Sequence, residues 1–272
     1  MFMKRLALVV LTVILTISCF SGTVFAAAKS TEAIKGTPKI DGTIDSIWKN
    51  AKSVKTAVWT SDEGPWATGK FSTMWDENYF YVLAQVSDKL LSDKSANPWE
   101  KDSVDLYLDE LNEKIATGMD GNDGQYRVDI KNATSGNGQY DASTLKSAVK
   151  EVTGGYVVEL AIPWKGLKGT VKAGLTVGFD AQVNDDATGT GIRDGIVCWN
   201  DNAADKYQNP STFGNCKLVD AVVAAATTTT TSAALPKTGS DVPTPVILTI
   251  GLCLLAAGMF LVTRKIKNAQ SN

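Results

Sequence analysis

The 272-residue sequence contains no histidine. That excludes Ser-His-Asp and Cys-His nucleophilic sites, histidine-ligated zinc or haem, and any histidine general base. Positive charge is not in excess either. The 27 Lys+Arg stand against 29 Asp+Glu, a formal net of −2, so no basic field points to nucleic acid. Cysteine is scarce, with four in all, and no long amphipathic helical period occurs anywhere. What the chain has instead is seven Trp and a series of short alternating segments.

The two ends read as addresses, not fold. Lys4 and Arg5 precede an apolar run over 6–17 that is too short to span a bilayer. Val24-Phe25-Ala26 then supplies the small side chains of a signal-peptide cleavage site, so cleavage is expected after Ala26. At the other end, Leu235-Pro236-Lys237-Thr238-Gly239 is followed by an apolar stretch over 246–262 and then Arg264, Lys265 and Lys267. This order resembles the cell-wall sorting signal read by sortases of Gram-positive bacteria. The apolar span would halt in the bilayer and the cations would hold its end inside. The resemblance implies cleavage between Thr238 and Gly239, transfer of Thr238 to peptidoglycan, and a secreted protein anchored covalently to the wall.

The expected mature chain, 27–238, keeps 22 Lys+Arg and 28 Asp+Glu, a net of −6. Its 220–234 segment is rich in Ala and Thr, cannot bury a core, and reads as a linker. Fully extended, those residues reach about 50 Å. One domain remains, over 30–219, of ordinary size.

That domain reads as all-β. Segments 79–86, 104–108, 126–130, 155–162, 176–183 and 195–199 alternate apolar and polar residues and are bounded by Gly, Asn and Asp. The pattern predicts two packed antiparallel sheets, a β-sandwich, with a helical turn near 46–51. Alternation also sorts the faces, because residues i and i+2 share one. Val104, Leu106, Leu108, Tyr126, Val128 and Ile130 are expected inward. Asp105, Tyr107, Asp109, Arg127, Asp129, Asp180, Gln182 and Asn184 are expected on the other face. In Val197-Cys198-Trp199, an inward Cys198 would put Trp199 outward.

Planar polar groups beside exposed indoles suit a sugar. Its hydroxyls need forked donors and acceptors, and its C–H faces stack on an aromatic ring. The bland alternative is a solvated outer face with incidental Trp. Trp48, Trp75 and Trp164 sit among apolar neighbours and are expected in the core. Trp99, in a polar loop after Asn97-Pro98, and Trp199, before Asn200-Asp201, are candidates for the two walls of a slot. Trp59 and Trp66 are secondary candidates.

These residues resemble a family. Lys39-Ile-Asp-Gly-Thr-Ile-Asp-Ser-Ile-Trp48 is similar to the opening of family 9 carbohydrate-binding modules, known as appendages of bacterial xylanases. Trp75-Asp-Glu-Asn-Tyr-Phe-Tyr-Val82, Asn97-Pro-Trp-Glu-Lys-Asp-Ser-Val-Asp105, Gln125-Tyr-Arg127, Gly154-Gly-Tyr-Val-Val-Glu159, Gly178-Phe-Asp-Ala-Gln-Val-Asn-Asp185, Cys198-Trp-Asn-Asp201 and Phe213-Gly-Asn215 continue it in order. The resemblance implies a β-sandwich that binds soluble sugars and the ends of glucan or xylan chains, of cellobiose or xylobiose type. It implies a clamp of Trp99 and Trp199, with Asp105, Arg127 and Gln182 on the hydroxyls. Asp105 and Asp129 stand where the xylanase module has Glu and Asn. It also implies structural calcium, for which Asp120-Gly-Asn-Asp-Gly124 offers Asp120, Asn122 and Asp123 as oxygen ligands, with a solvated acidic turn as the bland alternative.

The expected function is therefore non-catalytic sugar capture at the cell surface, with oligosaccharide ends, sortase and peptidoglycan as partners and no nucleic acid. Two other readings compete. A glycoside hydrolase would pair Asp105 with Asp129 and needs no histidine. A structural or adhesion module would keep the fold without the sugar. Cys198 and Cys216 are expected as buried free thiols, with a disulfide as the alternative the compartment permits.

Overall fold

Strands form where branched and aromatic residues alternate with polar ones, and thirteen are present among the described residues. They are β1 (Ser30–Lys35), β2 (Ser53–Lys55), β3 (Val58–Trp59), β4 (Thr68–Trp75), β5 (Tyr79–Ser87), β6 (Ser103–Asp109), β7 (Asp123–Asp129), β8 (Thr134–Gly138), β9 (Lys146–Val152), β10 (Gly155–Pro163), β11 (Thr176–Asp185), β12 (Gly195–Cys198) and β13 (Gly214–Val219). In this computed structural model the described residues are 28–60, 64 and 66–221. The expected signal peptide, nearly all of the linker, and the sorting signal with Thr238 and Gly239 lie outside them. Among the described residues, helix is limited to four 3₁₀ turns: Ser46–Asn50, Pro98–Glu100, Lys206–Gln208 and Pro210–Thr212. None is long and apolar enough to cross a membrane.

The expected pair of separate antiparallel sheets gives way to one mixed sheet. Its order is β8-β7-β6-β11-β13-β1-β4-β5-β10-β9, with β12 and β3 continuing from β11 and β2 from β4. Two parallel pairings, β1 with β13 and β1 with β4, join its halves. The N-terminal strand thus closes against the C-terminal one, a pairing that no short-range pattern encodes. The sheet curls on itself. In a flat sheet β5 and β11, four strands apart, would lie roughly 19 Å from each other. Instead the rings of Phe80 and Phe179 are 5.7 Å apart.

That curl encloses the main core. Val104, Leu106, Leu108, Tyr126, Val128 and Ile130 all face into it, as alternation requires, together with Trp75 and Trp164. A second cluster lies on the back of β4, β5 and β10. There Trp48, on the 3₁₀ turn Ser46–Asn50, covers Met74, Tyr81, Leu83, Val157 and Ala161. Its indole N–H donates to Glu159 at 3.1 Å, which satisfies a carboxylate that is itself buried. The chain divides into two units, Met1–Ala224 and Ala225–Asn272, and the described residues belong to the first. Cys198 and Cys216 are buried free thiols. Burial pushes Cys216 up to about 12.

Candidate functional site

The polar faces of β8, β7, β6 and β11 form the floor of a cleft of about 560 Å³. Register builds that floor. Ser135, Arg127, Asp105, Gln182 and Cys198 lie directly opposite one another on successive strands. Asn137, Gln125, Tyr107 and Asp180 make the next row. Facing residues in an antiparallel pair share a side of the sheet, so the rows bring together side chains from five stretches of sequence.

Asp105 is the hub. Its Oδ2 accepts from Arg127 Nη2 at 2.8 Å, Gln182 Nε2 and Asn184 Nδ2 at 3.2 Å each, and Gln125 Nε2 at 3.3 Å. Arg127 Nε stands 2.7 Å from Oδ1. Gln125 in turn accepts from Asn137 at 2.8 Å, and Tyr107 donates to Gln182 at 3.3 Å. The outcome is an array of planar groups, amides with one carboxylate and one guanidinium, joined by mutual hydrogen bonds. Such an array offers the alternating donors and acceptors that vicinal hydroxyls require.

Two aromatic rings stand above the floor. Trp99, on the turn Pro98–Glu100, is 46% exposed, and Tyr207, on the turn Lys206–Gln208, is 45% exposed. Both line the cleft, and they are the two aromatics among the described residues that are classed as exposed. The turn that carries Tyr207 is held from below. Lys206 Nζ bonds Asp180 Oδ2 at 2.6 Å, with both side chains buried. Burial alone would lower the Lys206 ammonium, and the Asp180 carboxylate more than offsets it.

Trp199 is not a wall of this cleft. It is 4% exposed and packs on Phe179 at 5.7 Å inside the core. The reason is register. Cys198 faces Gln182 across β11, its Sγ 3.7 Å from Gln182 Oε1. Cys198 therefore takes the cleft side and Trp199 the core side, the reverse of the expected assignment. A Cβ on Gly214 would come within 2.7 Å of the Trp199 ring, so the glycine in Phe213-Gly-Asn215 leaves room for that indole. Trp59 and Trp66 are partly buried and do not line the cleft. Asp129 does not reach it either. Its Oδ1 accepts the Lys131 and Ala133 amides at 2.9 Å each, and Lys101 lies 3.4 Å from Oδ2. Asp129 thus closes the turn after β7 and is not paired with Asp105 across the cleft.

The oxygens of Asp120, Asn122 and Asp123 are turned into their own loop. Asp120 Oδ1 accepts the Asn122 amide at 2.9 Å, Asp123 Oδ2 accepts the Asp120 amide at 2.9 Å, and Asn122 Oδ1 faces the Leu111 amide at 3.3 Å. A different trio fits a cation better. Asp88, Asp102 and Asp185 are all buried and bring one carboxylate oxygen each to within 4.8 Å of the others, the one such group among the described residues. Asp88 Oδ2 and Asp185 Oδ1 accept no hydrogen bond. Burial, reinforced by the neighbouring carboxylates, pushes Asp102 up to about 7 and Asp185 up to about 6. Three buried carboxylates, two of them with an orphaned oxygen, form a hard-oxygen set of the kind calcium takes. These residues lie far apart in sequence, at the end of β5, before β6 and at the end of β11, and sequence reading missed them.

Sequence reading also missed Gln125, Asn137, Arg193, Lys206 and Tyr207 as lining. An aromatic in a polar loop was the available signal for Tyr207, as it was for Trp99.

With this geometry in view, comparison with known proteins gives a consistent result. The family described as "Carbohydrate family 9 binding domain-like" matches residues 40–221. Exoglucanase XynX of Acetivibrio thermocellus is 43% identical over 192 residues, 70% of this chain and 17% of that one. Endo-1,4-beta-xylanase A of Thermotoga maritima is 45% identical over 188 residues, 68% of this chain and 17% of that one. The chain thus spans about a sixth of the length of these enzymes. A family 9 module from Caldicellulosiruptor kristjanssonii in complex with cellotriose superposes with a TM-score of 0.64 at 30% identity, covering 78% of this chain and 100% of that one. The complex with glucose gives 0.65 at 32%, covering 71% and 96%.

Proposed function

This chain belongs to the carbohydrate family 9 binding domains, and from that premise we propose that it holds a free sugar or the end of a glucan or xylan chain without cleaving it. The observation that carries the reading is the cleft itself, in which Trp99 and Tyr207 stand over the Asp105 network. The sugar ring stacks on the indole, with the phenol as the second wall. Asp105, Arg127, Gln125 and Gln182 take its hydroxyls. The cellotriose and glucose bound by the Caldicellulosiruptor modules support the ligand class. The match to only 17% of each xylanase supports a binding module that those enzymes carry beside other parts. The hydrolase reading loses its motivation, because Asp129 is taken up by a turn.

Calcium, held by Asp88, Asp102 and Asp185, would neutralise their charge and fix the strand ends they occupy. The sorting pentapeptide, apolar span and basic tail support secretion, sortase cleavage between Thr238 and Gly239, and attachment to peptidoglycan.

Titration of residues 27–238 with cellobiose, xylobiose and glucose, followed by Trp fluorescence and calorimetry, tests the binding reading. Saturable binding that is lost in Trp99→Ala is expected. A folded protein that responds to none of the three sugars would refute it.

A further inference from the structure

Three cations line the cleft: Arg127, Arg193 and Lys206. Two of them are neutralised where they stand. Arg127 is paired with Asp105, and Lys206 with Asp180. Arg193 is different. The residue is partly buried, and the one hydrogen bond its side chain makes among the described residues is from Nη1 to the neutral amide oxygen of Asn184, at 3.0 Å. No carboxylate of the described residues forms an ion pair with it. This is unusual in a chain where acids outnumber bases. A guanidinium taken partly out of water is normally matched by an anion.

Its position is set beside Trp99. The backbone N–H of Arg193 donates to Glu100 Oε2 at 2.6 Å, and Glu100 follows Trp99 on the same turn. The Arg193 loop is thereby tied to the aromatic wall, and Arg193 and Trp99 line the same cleft. A neutral hydroxymethyl group there would leave the cation uncompensated. A carboxylate would meet the fork with two charge-assisted bonds.

We propose that the cleft prefers a sugar that carries a carboxylate, a hexuronate residue, and that Arg193 is the residue that reads it. This rests on the cleft being the sugar site. Arg127 cannot serve instead, because Asp105 already occupies its fork. Lys206 cannot, because its ammonium is buried against Asp180.

The test uses the full chain in a non-sugar detergent at pH 7, with calorimetric titration by D-glucose, D-glucuronate and the methyl ester of glucuronic acid. Glucuronate is expected to bind about tenfold more tightly than glucose, an increment in keeping with a charge-assisted bidentate pair. The uncharged ester is expected to fall back to the glucose value, and added salt to reduce the glucuronate advantage. Arg193→Gln is expected to bring the glucuronate-to-glucose ratio to near one, and Arg193→Lys to give an intermediate ratio. If glucose binds and glucuronate binds equally or more weakly, this inference is overturned and the sugar site stands. If neither binds to folded protein, both fall. The wild-type comparison of acid with ester decides the question even where a variant misfolds.

Discussion

Replacing Lys206 by Met tests whether the turn that bears Tyr207 is fastened by a buried ion pair. Lys206 is 2% exposed and Asp180 fully buried, with 2.6 Å between Nζ and Oδ2. Asp180 also accepts the Asn200 amide at 2.9 Å and the Asp201 amide at 3.2 Å, so one carboxylate organises the whole run from the end of β12 to the turn. Met preserves the length of the side chain and removes its charge. Asp180 is then left buried without a counter-ion, a loss worth about 3–5 kcal/mol. In a domain of this size that lowers Tm by roughly 6–20 °C. Asp180→Asn keeps an acceptor for the backbone amides but strands the ammonium, and a similar loss is expected. In the double variant no charge is left unpaired, so its loss is expected to be clearly smaller than the sum of the two singles. Urea unfolding of all four proteins closes the cycle. A Lys206→Met loss below about 1 kcal/mol, the range of exposed pairs, or strict additivity in the double variant, would refute the argument.

Trp99→Ala is expected to weaken sugar binding by about thirtyfold or more, the loss typical of a central aromatic anchor, with stability near wild type; titration and thermal melts read both. Trp199→Ala is expected to do something else: as a core indole it costs about 3–5 kcal/mol of stability, so a fully stable variant that merely loses sugar would show that Trp199 is a clamp residue after all. Removing calcium with a chelator is expected to lower Tm at pH 8. In the chelated protein, acidification to pH 5 is then expected to add stability, because Asp102 at about 7 and Asp185 at about 6 take up protons in the folded state while unfolded carboxyls near 3.8 do not. Asp102 alone contributes about 3 kcal/mol over that interval, and a calcium-free stability that is flat or falling toward pH 5 would contradict the assignment of the trio. Purified sortase with a glycine nucleophile is expected to release residues 239–272 and add the nucleophile to Thr238, read by mass; an uncleaved chain counts against the anchor.

The strands that alternation found are those with one apolar and one polar face, such as β6 and β7. Their second face is not solvated, though. Every residue of β6 and β7 is buried, because the polar side chains bond one another across the rows. Periodicity reports a change of polarity between faces and cannot say whether water or a neighbour covers the polar one. β4 was missed because it is buried on both sides over its second half, which removes the alternation. β9 was missed because it is a largely exposed edge rich in Lys and Glu. Trp199 was misplaced by one chemical assumption, that Cys198 belongs to the core. Thiols are usually buried among apolar groups, but this one is buried within the polar floor, against Gln182. The Asp88, Asp102 and Asp185 trio has no local motif, since closure of the sheet alone brings its members together.

The same closure braces the walls of the site. Trp99 and Arg193 both stand on irregular chain, which ordinarily moves. Buried carboxylates hold both segments. Asp102 accepts the Ser92 and Asp186 amides. Asp186 accepts the Thr190 and Gly191 amides at 2.9 and 2.8 Å and the Ser92 hydroxyl. The loop before Trp99 and the loop before Arg193 are therefore fastened to the same acids, one of which, Asp102, belongs to the trio. Floor and walls then have separate supports. The floor is fixed by cross-strand register around Asp105, the Tyr207 wall by Lys206 and Asp180, and the Trp99 wall by Asp102 and Asp186. An arrangement already held in this way loses little entropy when a sugar enters. Loss of charge neutralisation at the trio should accordingly loosen the Trp99 wall and leave the Asp105 floor unchanged.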